Sequence, residues 1–462
     1  MPDLAPLPDA VFKAYDIRGI VPAQLNAAFA HRLGRALAGL AQAQGIKTLV
    51  VGYDGRHSSP ELADALCAGI HAGGIDTLSL GMVPTPLVYF AAHMQHTGSG
   101  VAITGSHNPP DYNGFKMMMG GRTLHGDDIQ ALKTAMQAPQ PDAATRGADT
   151  PRDITDAYVR HITDHVRLAR PMRIAIDCGN GVGAVIAARL YRALGCDIDE
   201  LYCSVDGSFP NHHPDPADPR NLQDLIRHVR DSDCELGLAF DGDADRLGVV
   251  TKTGEIIWPD RQLILFARDV LRRVPGAPII FDVKCSRHLG LAIEQAGGQP
   301  LMSQTGHSLI KAKLAETGAP LAGEMSGHVF FKERWFGFDD GLYAGARLLE
   351  ILSRDIDPGR VLNALPEGIS TPELKLEMNE GEPHALIARL QQEGDFPQAL
   401  SRVTIDGVRA EYSDGFGLAR ASNTTPTIVL RFEGDTPEAL ARIQAEFRNA
   451  LLQLTPGLTL PF

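Results

Sequence analysis

No run in this 462-residue chain approaches the ~18 consecutive apolar residues that a membrane-spanning helix requires. The opening Met1-Pro2-Asp3-Leu4 has neither a basic region nor a long apolar core. A secretory signal is therefore not expected, and the cytoplasm is the default compartment. Cations are in deficit. The formal net charge is −13, which argues against a general nucleic-acid binder and against attachment to anionic membranes. An anionic substrate then demands a local cationic pocket or a metal ion. The cysteines, at positions 67, 178, 196, 203, 234 and 285, include no Cys-x-x-Cys pair. That argues against a zinc site and, in a chain of this length, for reduced buried thiols. The Gly-x-Ser-x-Gly pattern of hydrolases is also missing around Ser106, where Thr104 and Asn108 stand in the glycine positions.

What is present is a globular composition, 44% hydrophobic and 21% charged, long enough for several domains. Apolar Gly100–Ile103 reads as a buried strand that runs into Thr104-Gly105-Ser106-His107-Asn108-Pro109-Pro110. The prolines exclude a helix there, so Ser106 belongs on a loop at the carboxyl end of a strand, where open α/β sheets bind ligands. It is either ordinary turn chemistry or a nucleophile, and a serine hydroxyl needs an activating partner. His107 is adjacent, and Lys116 follows ten residues on.

The order of elements repeats. Strands at 47–52 and 76–80, with helices over 27–44, 60–72 and 84–93, precede the Ser106 loop; Ser59 is placed to cap the second of these helices. A second block has strands at 173–177, 197–203 and 235–240 and helices over 184–194 and 222–231. A third has strands at 278–283 and 299–303 and helices over 287–296 and 308–317, and ends in Gly323-Glu324-Met325-Ser326-Gly327-His328. The last block differs: strands at 373–378, 401–406 and 427–433, with helices over 384–392 and 436–452, predict an α+β unit with an antiparallel sheet. The expected domains are 1–150, 151–253, 254–366 and 367–462, with 136–151 as a linker.

Asp241, Asp243 and Asp245 stand two apart just after a strand. Three such carboxylates repel by ~1–4 kcal/mol per close pair unless a cation joins them. An EF-hand is excluded, because Arg246 and Lys252 occupy the positions that need Gly and Glu. A site with open positions for Mg²⁺ and a phosphate, or a solvated acidic turn, remains. Arg420, Ser422, Asn423 and Thr424 read as a phosphate cradle or as plain turn chemistry. Glu324, Ser326 and His328 would face one way if extended, as a sugar-hydroxyl reader or as a core polar network. Lys284 and His307 end strands on what should be the same sheet edges. His212 and His213 read as surface or loop residues.

Taken together, Thr-Gly-Ser106-His107-Asn108-Pro, Asp241-Gly-Asp243-Ala-Asp245-Arg246, Gly-Glu324-Met325-Ser326-Gly-His328 and Arg420-Ala-Ser422-Asn423-Thr424 resemble the α-D-phosphohexomutase superfamily, in order and one per domain. The opening Lys13-Ala-Tyr15-Asp-Ile-Arg18-Gly and Met325 look like its bacterial phosphomannomutase/phosphoglucomutase branch. The resemblance implies an α/β protein with three topologically similar α/β domains and a C-terminal α+β domain around a central cleft. It implies that Ser106 carries a phosphoryl group, and that Mg²⁺ is held by Ser106, Asp241, Asp243 and Asp245. Glucose 1,6-bisphosphate would be the intermediate and activator.

In that reading Lys116, Arg18 and Arg246 offset charge, and His107 and Asn108 steady the phosphoserine. Lys116 and His328 are the acid–base candidates. Tyr15, Lys284, His307, Glu324, Ser326, Arg420, Ser422, Asn423 and Thr424 bind a hexose phosphate. The last domain is expected to move on a hinge, and the protein to be a monomer. The competing readings are a phosphoglucosamine mutase, a Mg-dependent sugar-phosphate phosphatase and a non-catalytic sensor.

Overall fold

The computed structural model describes residues 6–138, 142–423 and 425–462. Four sheets follow one another along the chain. The first domain contains β1 (Ile17–Ile20), α1 (Ala27–Ala43), β2 (Thr48–Tyr53), α2 (Ser59–Ala72), β3 (Asp76–Met82), α3 (Thr85–Met94), β4 (Gly100–Ile103), β5 (Tyr112–Met119), β6 (Arg122–Thr123), α4 (Asp127–Gln137) and β7 (Asp149–Pro151). Its sheet order is β1-β5-β4-β2-β3-β7, with β6 paired to β5. The centre is parallel and apolar on both faces, as Leu49, Val50, Val51, Val101 and Ile103 require. Helices α1 and α2 meet through glycines: a Cβ on Gly34 would lie 2.2 Å from the Leu66 carbonyl oxygen, and one on Gly69 2.1 Å from that of His31.

The second domain runs α5 (Thr155–His165), β8 (Arg173–Asp177), α6 (Ala187–Ala193), β9 (Asp197–Leu201), α7 (Gln223–Asp231), β10 (Leu236–Phe240), β11 (Leu247–Thr251) and β12 (Ile256–Ile257). Its order is β12-β11-β10-β8-β9. The third runs α8 (Pro259–Leu271), β13 (Pro278–Asp282), α9 (Arg287–Gln295), β14 (Gln299–Ser303), α10 (His307–Thr317), β15 (Leu321–Gly323), β16 (Val329–Phe331), α11 (Gly341–Leu352) and α12 (Pro358–Asn363), with order β14-β13-β15-β16. The fourth has β17 (Ile369–Ser370), β18 (Leu374–Glu377), α13 (Glu382–Glu393), β19 (Ser401–Val403), β20 (Val408–Tyr412), β21 (Gly415–Ala421), β22 (Thr427–Gly434) and α14 (Pro437–Leu454). Every pairing in its sheet is antiparallel.

One construction recurs in the first three domains. A central strand (β2, β8 or β13) has parallel neighbours on both sides. One of those neighbours, β4, β10 or β15, then reverses into an antiparallel partner, β5, β11 or β16. The three reversals are the loops carrying Ser106, the three aspartates and Glu324–His328. The shared strand order puts all three at the same sheet edge, the carboxyl ends of the parallel strands, which is where this fold class binds ligands.

Several local expectations are corrected. Ser59 does not cap α2: its hydroxyl donates to Asp54 Oδ1 at 2.5 Å, and the N-cap is Ser58, whose side chain makes no capping bond. The helix expected over 184–194 breaks into a 3₁₀ turn (Val182–Val185) and the short α6. Residues 149–151 of the expected linker add a strand beside β3. His212 lies on a loop, as expected, but its ring is half-buried against Asp177 at 3.0 Å. All six cysteines are free. No helix of the described residues is long and apolar enough to cross a membrane.

Candidate active site

Ser106 sits in the left-handed region, at φ 49°. For a residue with a Cβ this costs about 1–3 kcal/mol and persists only where surroundings enforce it. The enforcers are Asp54 and Arg56, on the loop after β2. Asp54 Oδ2 accepts from Thr104 Oγ1 at 2.8 Å and from the Gly105 N–H at 3.1 Å, and Thr104 Oγ1 accepts from the Ser106 N–H at 2.8 Å. Arg56 is 1% exposed. Its guanidinium pairs with Asp54 at 3.2 Å and donates to the carbonyls of Ser106 at 2.8 Å, Asn108 at 2.6 Å and Tyr112 at 3.0 Å. Neither residue was assigned a role from sequence; the available signal was their polar loop beside the strand that leads to Ser106.

The aspartate loop lies directly against this one. A Cβ on Gly242 would come within 2.2 Å of the Ser106 carbonyl oxygen, so only glycine permits the approach. Ser106 Oγ donates to Asp241 Oδ2 at 3.0 Å and lies 3.1 Å from His107 Nδ1. Asp241, Asp243 and Asp245 are fully buried, and one ligand oxygen from each lies within 4.8 Å of the others. Lys116 Nζ donates to Asp243 Oδ2 at 2.7 Å and Asp245 Oδ2 at 2.5 Å. Thr85, at the start of α3, adds a hydroxyl bond to Asp243 Oδ2 at 2.6 Å. The Lys116 ammonium and the Arg246 guanidinium, 3.8 Å from Asp241 Oδ2, are two cations against three carboxylates. Asp243 Oδ1 and Asp245 Oδ1 are buried without a hydrogen-bond partner, and burial together with Asp245 and Asp243 pushes Asp241 well above the usual carboxylate range. Hard oxygen donors, excess negative charge and orphaned oxygens fit a divalent cation of the Mg²⁺ class.

Around these loops the cations converge. Arg18 Nη1 donates to Asn108 Oδ1 at 2.6 Å. Arg246 Nε lies 3.8 Å from Asp241 Oδ2 and donates to His328 Nε2 at 3.1 Å. With its Nε2 accepting, the His328 ring presents Nδ1 to Asp339 Oδ2 at 3.1 Å. Asp339, which sequence reasoning missed, also holds Lys311 Nζ at 2.9 Å and faces His307 Nδ1 at 3.5 Å. Burial, with Arg246 and Arg18, holds His107 well below the usual imidazole range, so it stays neutral. Burial would also lower Lys116, but Asp243 and Asp245 outweigh it and hold its ammonium well above the usual range.

The expectation that Glu324, Ser326 and His328 share one extended face is not met. The Glu324 N–H donates to the His328 carbonyl at 2.9 Å and Gly327 N–H to the Glu324 carbonyl at 3.1 Å, closing a tight turn between β15 and β16. Glu324 and His328 therefore flank the turn. Ser326 lies on it, half-buried, bordering a small pocket with Pro216 and Trp258. Glu324 Oε1 accepts from the Gly306 N–H at 2.6 Å, and burial pushes its carboxyl above the usual range.

His307 stacks on His328 with centroids 5.6 Å apart and meets the Tyr15 ring edge-on at 6.3 Å. Tyr15 Oη donates to the Thr305 carbonyl at 2.7 Å and accepts from Asn423 Nδ2. Arg420 Nε donates to Asp406 Oδ2 at 3.0 Å, and Lys284 pairs with Glu373 at 3.1 Å. The Ser422 hydroxyl accepts from the Thr425 N–H at 3.3 Å, and Thr424 lies outside the described residues. Two groups result. Ser106, His107, Arg18, Lys116, Arg246, His328 and the aspartates form one knot. In the other, Tyr15 of the first domain meets His307, Glu324, Arg420 and Asn423 of the third and fourth, and Lys284 sits at the joint between those two.

Comparison with known proteins agrees across the whole chain. Family models for phosphoglucomutase/phosphomannomutase match in succession: alpha/beta/alpha domain I at residues 9–142, domain II at 156–254, domain III at 258–368 and the C-terminal domain at 373–450. A phosphoglucomutase of Neisseria meningitidis serogroup A is 56% identical over 453 residues, 98% of either chain. A phosphomannomutase/phosphoglucomutase of Pseudomonas aeruginosa is 53% identical, covering 99% of this chain and 98% of its own. The crystal structure of a phosphoglucomutase/phosphomannomutase family protein from Burkholderia thailandensis superposes with a TM-score of 0.95 at 54% identity, covering 99% of this chain and all of that one. Four consecutive domain matches and full-length relatives above half identity place the chain in the phosphoglucomutase/phosphomannomutase family.

Proposed function

We propose that the protein moves a phosphoryl group between the 1- and 6-positions of glucose or mannose phosphates, with phosphorylated Ser106 as the donor and glucose 1,6-bisphosphate or its mannose counterpart as the bound intermediate. The observation that carries this is the seating of Ser106 Oγ 3.0 Å from Asp241, between the aspartate loop and the cations Arg18, Lys116 and Arg246. A loop serine there is a phosphoryl carrier with charge compensation on all sides. Asp241, Asp243, Asp245 and phosphorylated Ser106 would hold Mg²⁺, which would supply positive charge against the oxygens of the transferring group.

In the first half-reaction the P–Oγ bond of Ser106 breaks and a bond from phosphorus to the sugar hydroxyl oxygen forms. The hydroxyl gives up one proton and Ser106 Oγ gains one, so charge and protons balance. His328 Nε2, which accepts from Arg246 Nε at 3.1 Å, takes the proton from the sugar as Arg246 turns to the phosphate, then returns it to Ser106 Oγ, with Asp339 behind its Nδ1. Lys116, held charged by two aspartates, serves as a fixed cation. After the bisphosphate turns end for end, the same steps run backwards on the other phosphate.

Arg420, Ser422 and Asn423, with Thr424, hold the phosphate that is not reacting. Tyr15, Lys284, His307 and Glu324 hold the sugar. The joint between the third and fourth domains is mostly polar: Ser286 to Glu433 at 2.9 Å, Arg409 to the carbonyls of Val283 and Cys285 at 2.6 Å, with one small apolar contact among Val283, Phe416 and Leu418. Such a joint suits a domain that closes on ligand.

The test is turnover of glucose 1-phosphate and mannose 1-phosphate with and without glucose 1,6-bisphosphate. Comparable rates on both sugars and stimulation by the bisphosphate are expected. Release of inorganic phosphate as the main product would indicate a phosphatase and overturn the reading.

A further inference from the structure

Away from the cleft, three side chains of different chemistry meet at the edge of the second sheet. Asp199 lies in the edge strand β9, His228 in the last turn of α7, and Cys234 just ahead of β10. His228 Nε2 is 2.8 Å and Cys234 Sγ 3.4 Å from the same oxygen, Asp199 Oδ2. One ligand atom from each lies within 4.8 Å of the others. The other oxygen, Oδ1, accepts from Arg173 Nη2 at 3.2 Å, which fixes the carboxylate with Oδ2 turned to the imidazole and thiol. Cys234 is buried, whereas Asp199 and His228 are half-buried and leave a side open for water.

We infer that Asp199, His228 and Cys234 form a second metal site that takes a borderline-soft divalent cation of the Zn²⁺ class, distinct from the aspartate triad. Imidazole nitrogen, thiolate and one carboxylate oxygen are the donors zinc takes, and water completes the tetrahedron. With bonds of ~2.0 Å to N and O and ~2.3 Å to S, a tetrahedral ion sets its ligand atoms about 3.3–3.7 Å apart. The Cys234–Asp199 contact of 3.4 Å already has that spacing, the His228–Asp199 contact of 2.8 Å must open slightly, and all three ligand atoms lie within 4.8 Å of one another. Arg173 acts on the ion through the carboxylate it orients. The missing Cys-x-x-Cys spacing does not bear against this site, because the fold, not the local sequence, gathers its ligands.

The balance is simple. The Cys234 thiol, which burial holds above its usual range, loses its proton to solvent as sulfur bonds the ion. Asp199, held below the usual range by His228, is already ionised. Closure would tie the end of α7 to the sheet edge and to the approach to β10, making the site a structural clip.

The experiment titrates Co²⁺ into the reduced, Mg²⁺-saturated full-length protein and reads thiolate-to-cobalt charge transfer in the near ultraviolet, a band the all-oxygen triad cannot give. One equivalent should saturate the band, and Zn²⁺ should displace it. Cys234→Ser should abolish it while leaving Mg²⁺-supported activity unchanged. His228→Ala, on the open side of the site, should weaken Co²⁺ binding by tenfold or more. Cys203→Ser should keep the band. Absence of any band, or its persistence in Cys234→Ser, would overturn the assignment.

Discussion

The Lys116 ammonium lies 2.7 Å from Asp243 Oδ2, the same oxygen that accepts the Thr85 hydroxyl at 2.6 Å. It occupies the charge-balancing position beside the triad. Removing one member of a buried ion pair costs about 3–5 kcal/mol, because the other charge is left uncompensated. Lys116→Met should therefore destabilise the protein strongly when metal is withheld and much less with Mg²⁺. The measurement is the melting temperature in chelator and in Mg²⁺; an equal deficit in both would separate Lys116 from the cation site.

Arg56 should matter as a fork, not merely as a charge. Lysine keeps the charge but cannot bridge Asp54 and the carbonyls of Ser106, Asn108 and Tyr112 at once. Arg56→Lys should lower kcat by about 10²-fold, the cost of a small misplacement of a reacting group. KM should change little. A fall confined to KM would show that Arg56 does not set the Ser106 loop.

Gly242→Ala tests the contact between the two loops. Its new methyl would sit 2.2 Å from the Ser106 carbonyl oxygen, a backbone atom with little freedom to yield. Activity should drop by about 10²-fold or more. Hydrogen exchange should rise in 104–108 and 241–246 and stay unchanged in the fourth domain.

The pH dependence of stability should carry a signature from Asp269, which lies in α8 and pairs with Arg273 at 2.7 Å, Arg354 at 3.0 Å and Arg347 at 3.3 Å. Burial alone would raise its carboxyl, but these guanidinium groups outweigh it and bring it down to about 2. A depressed acid stabilises the fold above its unfolded value, ~3.9, and loses that contribution as pH falls through the folded value. The stake is of the order of 2–3 kcal/mol. Asp269→Asn should be less stable than the parent at neutral pH, and the gap should narrow between about pH 4 and pH 2. A gap independent of pH would contradict it.

Much of this was legible in the chain. The loops after β4, β10 and β15 could be found because each follows a short apolar strand and breaks into Gly, Asp or Pro. The three aspartates could be read because only a cation resolves their repulsion. Less local features were hidden. Asp54 and Arg56 look like loop polarity until β2 is known to lie beside β4. Asp339 lies eleven residues after His328 and meets it only because β16 and its loop fold back. Strand β5 and helix α11 are buried almost throughout, so neither shows the alternation or stripe that marks an amphipathic element. Ser326 was misplaced because spacing by two was read as strand where Gly327, at φ 103°, makes a turn.

The central claim is that Ser106 carries the phosphoryl group. Intact-mass analysis after incubation with glucose 1,6-bisphosphate and Mg²⁺ tests it directly. The parent should gain one phosphoryl group, mapped by fragmentation to Ser106, and lose it on adding excess hexose monophosphate; Ser106→Ala should gain none. An active parent preparation that never carries phosphate at Ser106, or a Ser106→Ala variant that gains it equally, would contradict the account.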